Sequence, residues 1–432
     1  MNTVILNIYN NYSKNINFRC FLIFLLPICL IVGSAFVNFI LTLIFFIFFF
    51  DIIKKKDFKI FQISWIKLFL AFWFYTLILS FFATDVIISL KNSFSQIRFL
   101  TLVLFIYKNL EMKSYLIFIF ISLLSIIFVS IDNNIQFFTG LDIFGFPAEG
   151  YVYDVRTFNL RESTVYDIGR LSGPFKDELI PGAYLLKMSI IGLCYIFSVF
   201  KNLNKFKQIL FFLLTLFLIE SIIITGERTS SIIFVLFLFI LFIRITSFKK
   251  VFFVSILITF FISISILNSG FLKMRVNDTV KIVSDYNNSS YGRLASSAFA
   301  LSKENIMFGS GLKNYRIDCQ KLIDPIPSHE FSYCSPTHPH NTLLELLSET
   351  GIVGTILYIS FLIIFFTETS KRLNKNLHKK NKLNYFGLIT FIILSLLPIL
   401  PSGSLFTTWN GTFFWLVISV AFFLSKEKKI KF

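Results

Sequence analysis

The sequence predicts an all-α integral membrane protein with about 12 transmembrane helices, and two observations support this prediction. The first is composition: of 432 residues, 55% are hydrophobic, and the mean hydropathy is +0.75. Too few polar side chains remain to cover a soluble domain of this size. The second is that apolar runs about as long as a bilayer crossing recur along the whole chain. We therefore treat residues 1–432 as a single polytopic membrane domain.

Apolar runs of roughly 17–25 residues, or slightly shorter runs between clear loops, mark the predicted spans. In chain order they centre on Cys20–Val32, Ala35–Phe50, Trp65–Phe82, Ile87–Tyr107, Tyr115–Ser130, Ala183–Phe200, Ile209–Ile224, Ser231–Ile245, Val251–Leu267, Leu343–Phe366, Tyr385–Leu400 and Thr412–Leu424. The first two are separated only by Gly33 and Ser34, which indicates a tight hairpin. Lys91 and Arg98 interrupt the fourth span.

The formal net charge of +17 is distributed as a topology signal. The loops after the even-numbered spans, from the second to the tenth, read KKKDFK, KNLEMK, KNLNKFK, RITSFKK and KRLNKNLHKKNK, and the tail reads KEKKIKF. All of them fall on one side of the membrane, which the positive-inside rule makes cytoplasmic. Both termini are then cytoplasmic, and no cleavable signal pattern precedes the first span. Because the lysines lie in short loops and not in a soluble basic domain, no nucleic-acid partner is expected.

Two long loops fall on the opposite face, and their charges are mixed. They run from residue 131 to 181 and from residue 268 to 341. This face lies opposite the cytoplasm. Cys319 and Cys334 both lie in the second loop, on the oxidising side, so we predict a disulfide between them. The cysteines at positions 20, 29 and 194 lie in apolar spans and are expected to be small core residues. No zinc spacing is present, and no metal or other cofactor is predicted.

Polar side chains on this outer face include arginines and histidines that are candidates for chemistry. Arg228 is the most informative, because it lies in the tight TGERTS turn at membrane depth, where an arginine usually faces protein or a water-filled cavity. The alternative interpretation is an interfacial side chain that reaches to the lipid headgroups. Arg170 and Arg293 lie in the two long loops. His338 and His340 lie in SPTHPHNTLLELLSETGIVG, just before the tenth span, and Asn341 is a suitable N-cap for that helix.

These residue types together match a chemical requirement. The arginine guanidinium makes bidentate contacts to phosphate, and a histidine of near-neutral pKa can accept a proton from a hydroxyl. No nucleotide-binding motif is present in the chain. The outer face therefore favours transfer of a group from a lipid-linked phosphate to a hydroxyl acceptor.

Several motifs resemble the O-antigen ligase and O-antigen polymerase superfamily. HPHNTLLELLSETGIVGTILY resembles its signature, a histidine–asparagine pair before a helix with a Glu-x-Gly step. RLSGPF before a span, the TG-x-R turn, and Arg293 upstream of a G-x-G segment at Gly309 and Gly311 occur in the family order. The opening hairpin with LPICLIVGSAFVN is also similar, so the resemblance covers nearly the whole chain.

The resemblance implies a membrane glycosyltransferase of GT-C-like architecture with its active site on the periplasmic face of the inner membrane. The reaction would be inverting and metal-independent, and would move an undecaprenyl-diphosphate-linked glycan to a hydroxyl of lipid A–core. His340 corresponds to the base, with His338 assisting and His329 without a role. Arg228, Arg293 and Arg170 correspond to diphosphate contacts. The stretch from Tyr151 to Ile168 matches no family pattern.

Three alternatives remain open at this stage. A polymerase would use a second lipid-linked glycan as acceptor, and the sequence does not separate it from a ligase except through the His-Pro-His-Asn form. A protein O-oligosaccharyltransferase usually has a longer C-terminal portion. A lipid-linked sugar transporter should carry ionisable residues in the middle of several spans, and these spans are nearly devoid of charge.

Overall fold

The computed structural model describes residues 17–149, 151–154, 159–162, 169–245, 263, 266, 269–321, 334, 338–375 and 379–426. The α-helices within these residues are α1 (Phe18–Val32), α2 (Ser34–Lys55), α3 (Ser64–Ser80), α4 (Val86–Ser95), α5 (Ile97–Asn109), α6 (Met112–Thr139), α7 (Pro181–Val199), α8 (Lys205–Ile224), α9 (Arg228–Ile245), α10 (Gly270–Ser284), α11 (Ser290–Glu304), α12 (Tyr315–Lys321), α13 (Thr342–Lys375), α14 (Lys379–Ser395) and α15 (Thr408–Leu424). Short 3-10 turns lie at Phe58–Gln62, Gly173–Phe175 and Phe200–Asn202, and strands β1 (Tyr151–Asp154) and β2 (Asn159–Glu162) form one antiparallel hairpin.

The fold is that of a multi-pass membrane protein. Among the described residues, the helices long and apolar enough to cross a bilayer are Ser34–Lys55, Met112–Thr139, Pro181–Asn202, Lys205–Ile224, Arg228–Ile245 and Thr342–Lys375. Phe18–Val32, Ser64–Ser80 and Thr408–Leu424 are shorter apolar helices. The count of twelve spans stays a prediction, and nearly all of the predicted ninth span, Val251–Leu267, lies outside the described residues.

Two element boundaries differ from the sequence-based expectation. The predicted fourth span is two helices, α4 and α5, which meet at Gln96. The break occurs where the apolar pattern is interrupted by the polar run KNSFSQ, and the Gln96 amide donates to the Asn92 carbonyl at 3.2 Å and to that of Phe406 at 3.4 Å. The predicted fifth span ends at Ser130, whereas α6 continues to Thr139. Its last turns carry buried polar side chains that bind the next loop, which a hydropathy pattern does not reveal.

The hydrophobic core is organised around α15, whose residues from Trp409 to Leu424 are nearly all buried. The Trp415 ring stacks on Phe361 of α13, with centroids 5.7 Å apart, and on Phe99 of α5, with centroids 6.2 Å apart. These contacts fix the middle of α15 between α5 and α13. Hydrogen bonds of Ser402 hold the loop before α15, residues 396–407, against the start of α13.

Three of the basic segments that are predicted to share one membrane face contact one another or adjacent helix ends, namely the loops after the second and fourth spans and the C-terminal tail. Arg19 forms an ion pair with Asp51 at 2.7 Å, and Lys108 forms one with Asp57 at 2.7 Å. The Lys426 amine donates to the Tyr107 carbonyl at 3.1 Å. These contacts join the start of α1, the end of α2, the end of α5 and the end of α15.

Helices α10, α11 and α12 lie within the predicted loop 268–341. A small hydrophobic cluster there includes Ala298, Leu301, Tyr315 and the two cysteines of this loop. The Tyr315 hydroxyl lies 2.9 Å from the Ser297 hydroxyl. The described part of this loop is therefore a helical layer with its own core, packed on the ends of the membrane helices.

The topology can be tested by labelling single cysteines in a variant whose native thiols are replaced. A cysteine at Asn288, exposed between α10 and α11, should react with a membrane-impermeant maleimide in intact spheroplasts. A cysteine at Asn376, in the predicted loop after the tenth span, should react only after the inner membrane is permeabilised. Equal labelling of both positions in intact spheroplasts would mean that the span count is wrong by an odd number.

Candidate active site

Four connections that the span count assigns to the outer face meet around one cavity of about 400 Å³, here called the site cavity. They are the start of α7, the α8–α9 turn, the segment before α13 and the loop before α15. The charged and aromatic side chains that line the cavity are Arg170, Lys187, Glu227, Arg228, Arg275, Tyr291, His338, His340, Phe391, Trp409, Phe413 and Phe414. Of the predicted site residues, the cavity thus brings together both histidines with Arg228 and Arg170.

The histidine segment has a strained backbone held by the loop before α15. His340 has φ of 51°, in the left-handed region that non-glycine residues rarely adopt. Its carbonyl accepts a hydrogen bond from the Ser402 N–H at 2.8 Å. The Ser402 hydroxyl accepts from the Thr342 N–H at 2.9 Å. The Asn341 side-chain oxygen accepts from the N–H groups of residues 343 and 344 at 3.1 and 3.2 Å, so Asn341 caps α13.

The two histidine side chains have different hydrogen-bonding opportunities. His338 Nε2 lies 3.3 Å from the Ser402 carbonyl oxygen, which can only accept, so this nitrogen carries the proton. Within the described part of the chain, no hydrogen bond reaches a ring nitrogen of His340. The His340 ring is 4.2 Å from that of His338 and 6.1 Å from that of Tyr291, measured between centroids. His340 is therefore the histidine better placed to take a proton from a bound substrate.

Electrostatics keep both imidazoles neutral near pH 7. Burial, with a smaller contribution from the neighbouring His338, lowers the pKa of His340 to about 4, although Glu345 opposes the shift. The pKa of His338 is also lowered, mainly by burial. A neutral imidazole is the form that can act as a base.

The lowered pKa of His340 predicts a pH profile. Because the active form is neutral, kcat/KM should stay level from pH 7.5 down to about pH 5 and fall only as His340 becomes protonated. The pH dependence of kcat/KM reports pKa values of the free enzyme, so a bound diphosphate does not shift the profile. An initial-rate series in which circular dichroism confirms folding at each pH would measure the profile. Half-loss near pH 6.5, the value of an exposed histidine, would contradict this environment.

The arginines form a cationic patch on one wall of the cavity. Arg228 is the first residue of α9, and its Nη1 is buried without a hydrogen-bond partner among the described residues. Arg170 donates through Nη2 to the Leu179 carbonyl at 2.8 Å, while its Nε is likewise unsatisfied within the described ranges. Burial lowers the pKa of Arg275, and repulsion from Arg228 and Arg170 adds to the effect. Three guanidinium groups on one cavity, two of them with a buried N–H that is unsatisfied within the described residues, can bind an anion.

Glu227 is the single carboxylate among the charged lining residues, and its oxygens already accept hydrogen bonds within the protein. The Glu227 carboxylate accepts from the Gly182 N–H at 2.7 Å and from the Ser230 hydroxyl at 3.0 Å, which ties the α8–α9 turn to the start of α7. Gly226 has φ of 73°, and its carbonyl accepts from Arg275 Nε at 3.2 Å. A side chain at Gly226 would collide with the Phe271 ring. The TGER turn thus shapes the cavity through its backbone as well as through Arg228.

Behind the histidines, a buried lysine ties three segments together. Lys313 Nζ lies 3.0 Å from the Glu345 carboxylate of α13 and hydrogen-bonds the Ser404 hydroxyl in the loop before α15. Both charged side chains are almost fully buried. Since a buried charge without its partner is costly, loss of either residue should loosen the loop that holds His338 and His340.

Backbone hydrogen bonds join the region of the G-x-G segment to the Glu-x-Gly step of α13. The N–H of Gly311 donates to the Glu349 carbonyl at 2.8 Å, and the N–H of Ile352 donates to the Ile306 carbonyl at 2.9 Å. Gly351 has φ of 64° and kinks α13, and any side chain there would strike the Met307 backbone. The glycines allow two backbones to approach closely, and this approach positions Lys313 beneath the histidines.

Other predicted residues fall elsewhere. Arg293 lies on α11, two residues after Tyr291, and is not among the described residues that line the site cavity, so its role as a diphosphate contact stays a prediction. His329 and most of the stretch from Tyr151 to Ile168 lie outside the described residues. The described residues include no group of three or more His, Cys, Asp and Glu side chains that could hold a metal ion.

Sequence reasoning missed several lining residues, namely Arg275, Lys187, Tyr291, Trp409 and Asn410. Lys187 could have been identified from the sequence, because an ionisable residue inside a predicted span indicates a functional site. Its amine hydrogen-bonds the Asn410 side chain and lies 4.8 Å from the centre of the Trp409 ring. Arg275 gave a weaker signal, because basic residues are common in a helix that follows a span.

Cys319 and Cys334 form a disulfide with Cα atoms 5.7 Å apart. The bond joins α12 to the segment that leads to His338. Closing a loop of 15 residues should contribute about 3 kcal/mol in the chain-entropy model. Protein purified without reductant and alkylated under denaturing conditions should therefore show three reactive thiols by mass, those of the buried cysteines 20, 29 and 194. Five alkylated thiols would refute the bond.

The fold and the cavity define a multi-pass membrane protein with a cationic, histidine-bearing site at the ends of its helices. Residues 209–359 match the family model described as O-antigen ligase, which confirms the predicted resemblance to that superfamily. The match includes Arg228, Arg275 and both cavity histidines, and supports a glycosyltransferase-type enzyme that acts on lipid-linked glycans. Arg170, Lys187 and the loop before α15 lie outside it. No curated protein matches the chain.

Proposed function

We propose that the protein transfers a glycan from undecaprenyl diphosphate to a hydroxyl of lipid A–core, on the periplasmic face of the inner membrane. The observation that carries this proposal is the unsatisfied guanidinium of Arg228, which lies with Arg170 and Arg275 in the cavity that holds His340. Three arginines and one carboxylate that is already hydrogen-bonded leave an excess of positive charge. A diphosphate supplies the matching negative charge and the acceptor oxygens.

An apolar groove gives the lipid part of this donor a place to lie. The groove, here called the α9–α10 groove, has a volume of about 470 Å³, and Val235, Leu236, Val276 and Val280 are among its lining residues. Arg228 and Arg275 line both this groove and the site cavity. A polyprenyl chain in the groove would therefore hold its diphosphate against the arginines, with its glycan in the cavity.

The chemical step follows from this placement. Neutral His340 takes the proton of the acceptor hydroxyl as that oxygen attacks the anomeric carbon. The bond from this carbon to the diphosphate oxygen breaks on the opposite face of the sugar, so the anomeric configuration inverts, and the electron pair leaves with the lipid diphosphate. The arginines stabilise the charge that develops there, in a site where burial strengthens each contact. His338, bound to Ser402, keeps the His340 ring in place through their close packing.

The test is deletion of the gene in its own bacterium, followed by gel analysis of envelope polysaccharide. A ligase predicts that long glycan chains accumulate on the lipid carrier and are absent from lipid A–core. Single repeats on lipid A–core would instead indicate the polymerase reaction. Normal long chains on lipid A–core would refute both. Complementation with the wild-type gene provides the control.

A further inference from the structure

A second groove, larger than the α9–α10 groove, lies between α1 and α6. It has a volume of about 1280 Å³ and is lined mainly by apolar side chains, among them Phe21, Leu25, Ile28, Phe36, Ile121, Leu124 and Phe128. This α1–α6 groove plays no part in the donor site described above. Its lining is open to the bilayer, since Phe36 is 56% exposed and Leu124 is 51% exposed.

The groove has a fixed shape. Pro27 interrupts the backbone hydrogen bonds of α1. The buried Tyr184 hydroxyl of α7 donates to the Pro27 carbonyl at 2.9 Å and lies 2.9 Å from the Ser125 hydroxyl of α6. One side chain thus holds α1 and α6 at a set separation, which makes the groove a built feature and not a gap between loosely packed helices.

The groove reaches the site cavity through a shared wall. Ile180 and Trp409 line both spaces. The Trp409 indole N–H donates to the Leu30 carbonyl at 2.9 Å, which fixes the ring between α1 and α15. On the cavity side, the amine of Lys187 lies against the same ring. At this end the groove is also lined by Lys176, Asp177 and Glu178, polar residues expected at the level of lipid headgroups.

We propose that the α1–α6 groove holds the acyl chains of the acceptor lipid, and that its sugars pass Trp409 into the site cavity. This inference rests on the proposed function. Both substrates of that reaction are anchored in the membrane, so the cavity needs two lateral openings, one for each lipid. The smaller α9–α10 groove ends at the arginines and suits a single polyprenyl chain. The larger groove avoids the arginine patch and has room for a lipid with several chains.

The carbohydrate of the acceptor also has suitable contacts along this path. The face of a tryptophan ring is an apolar platform for a sugar. Lys187 and Asn410 supply hydrogen-bond donors beside it. A phosphorylated glycolipid headgroup would be attracted by Lys187.

Site-directed photo-crosslinking tests the assignment in full-length protein. Benzoylphenylalanine is placed at Leu124 in the α1–α6 groove, at Leu236 in the α9–α10 groove, and at Phe46 on α2, an exposed position that lines neither groove. Nanodiscs contain labelled lipid A–core or labelled undecaprenyl diphosphate. Lipid A–core should be captured at Leu124 above the Phe46 level, and undecaprenyl diphosphate at Leu236. Capture of undecaprenyl diphosphate at Leu124, or of lipid A–core at no more than the Phe46 level, would overturn the inference.

Kinetics separate this inference from the proposed function. Leu124→Trp should raise the KM for lipid A–core about tenfold by filling the groove, with the KM for the glycan donor unchanged. Leu236→Trp should do the reverse, and Phe46→Trp should change neither. Equal effects of Leu124→Trp on both KM values, or none on either, would contradict the groove assignment. Transfer by the wild-type protein in the same nanodiscs tests the function itself, because its failure would be seen without any variant.

Discussion

His340→Ala should reduce glycan transfer by about 10²–10⁴-fold, the usual contribution of a general base, while donor binding is retained. The acceptor hydroxyl is a poor nucleophile, and no hydrogen bond occupies the His340 ring nitrogens in the described structure. The loss should therefore appear in kcat with little change in the KM for the donor. Measurement requires purified variants at matched expression, with donor binding followed separately.

Controls for this variant come from the chain itself. His340 has a left-handed backbone, so His340→Asn is a second test, because asparagine tolerates positive φ better than alanine and removes the base without straining the turn. His329→Ala changes a histidine of the same predicted loop that has no assigned role, and should leave the rate unchanged. Full activity of both His340 variants would end the assignment and move the base to His338.

Arg228→Lys should lower kcat by about 10²–10³-fold even though the positive charge remains. The buried Nη1 of Arg228 has no partner within the described ranges, and a guanidinium can hold two diphosphate oxygens at once. The ammonium group of lysine is a point charge that cannot reproduce this geometry. The single-turnover rate with bound donor measures the effect directly.

The matched control is Arg244→Lys, the same substitution near the other end of α9. Arg244 packs over the Phe386 ring and does not line the site cavity. It should leave the rate within about twofold of wild type, since exposed substitutions away from a site change energies little. A normal rate for Arg228→Lys would show that Arg228 acts only as an interfacial charge.

Much of the membrane architecture could be predicted, because hydropathy and loop charge report directly on bilayer crossing. Helices α1, α2 and α3 begin within a few residues of the predicted spans. The polar end of α6 was missed because Gln136 is satisfied by its contacts with residues 172 and 173 and not by its neighbours in sequence. A pattern along one helix cannot show such a partner.

Site residues could be predicted where a residue type is unusual at its position in the sequence. They could not be predicted where their role depends on contacts between segments that are distant in the sequence. Arg228 and the histidines lie in positions that are costly or conspicuous in a membrane protein. The positions of Arg275 and Lys313 beside the site are known only from the folded structure, in which separate segments of the chain meet. In the sequence Lys313 is one lysine of a long polar loop, and only the folded structure brings Glu345 and Ser404 beside it.

The most direct test is transfer by the purified protein in proteoliposomes that contain an undecaprenyl-diphosphate-linked glycan and lipid A–core, with EDTA present. The predicted result is a glycan on lipid A–core, with inverted anomeric configuration, one undecaprenyl diphosphate released per glycan, and a rate about 10²–10⁴-fold lower with His340→Ala. Donor movement between leaflets without any new glycosidic bond, or transfer that survives replacement of His340 and His338 together, would contradict the proposed mechanism.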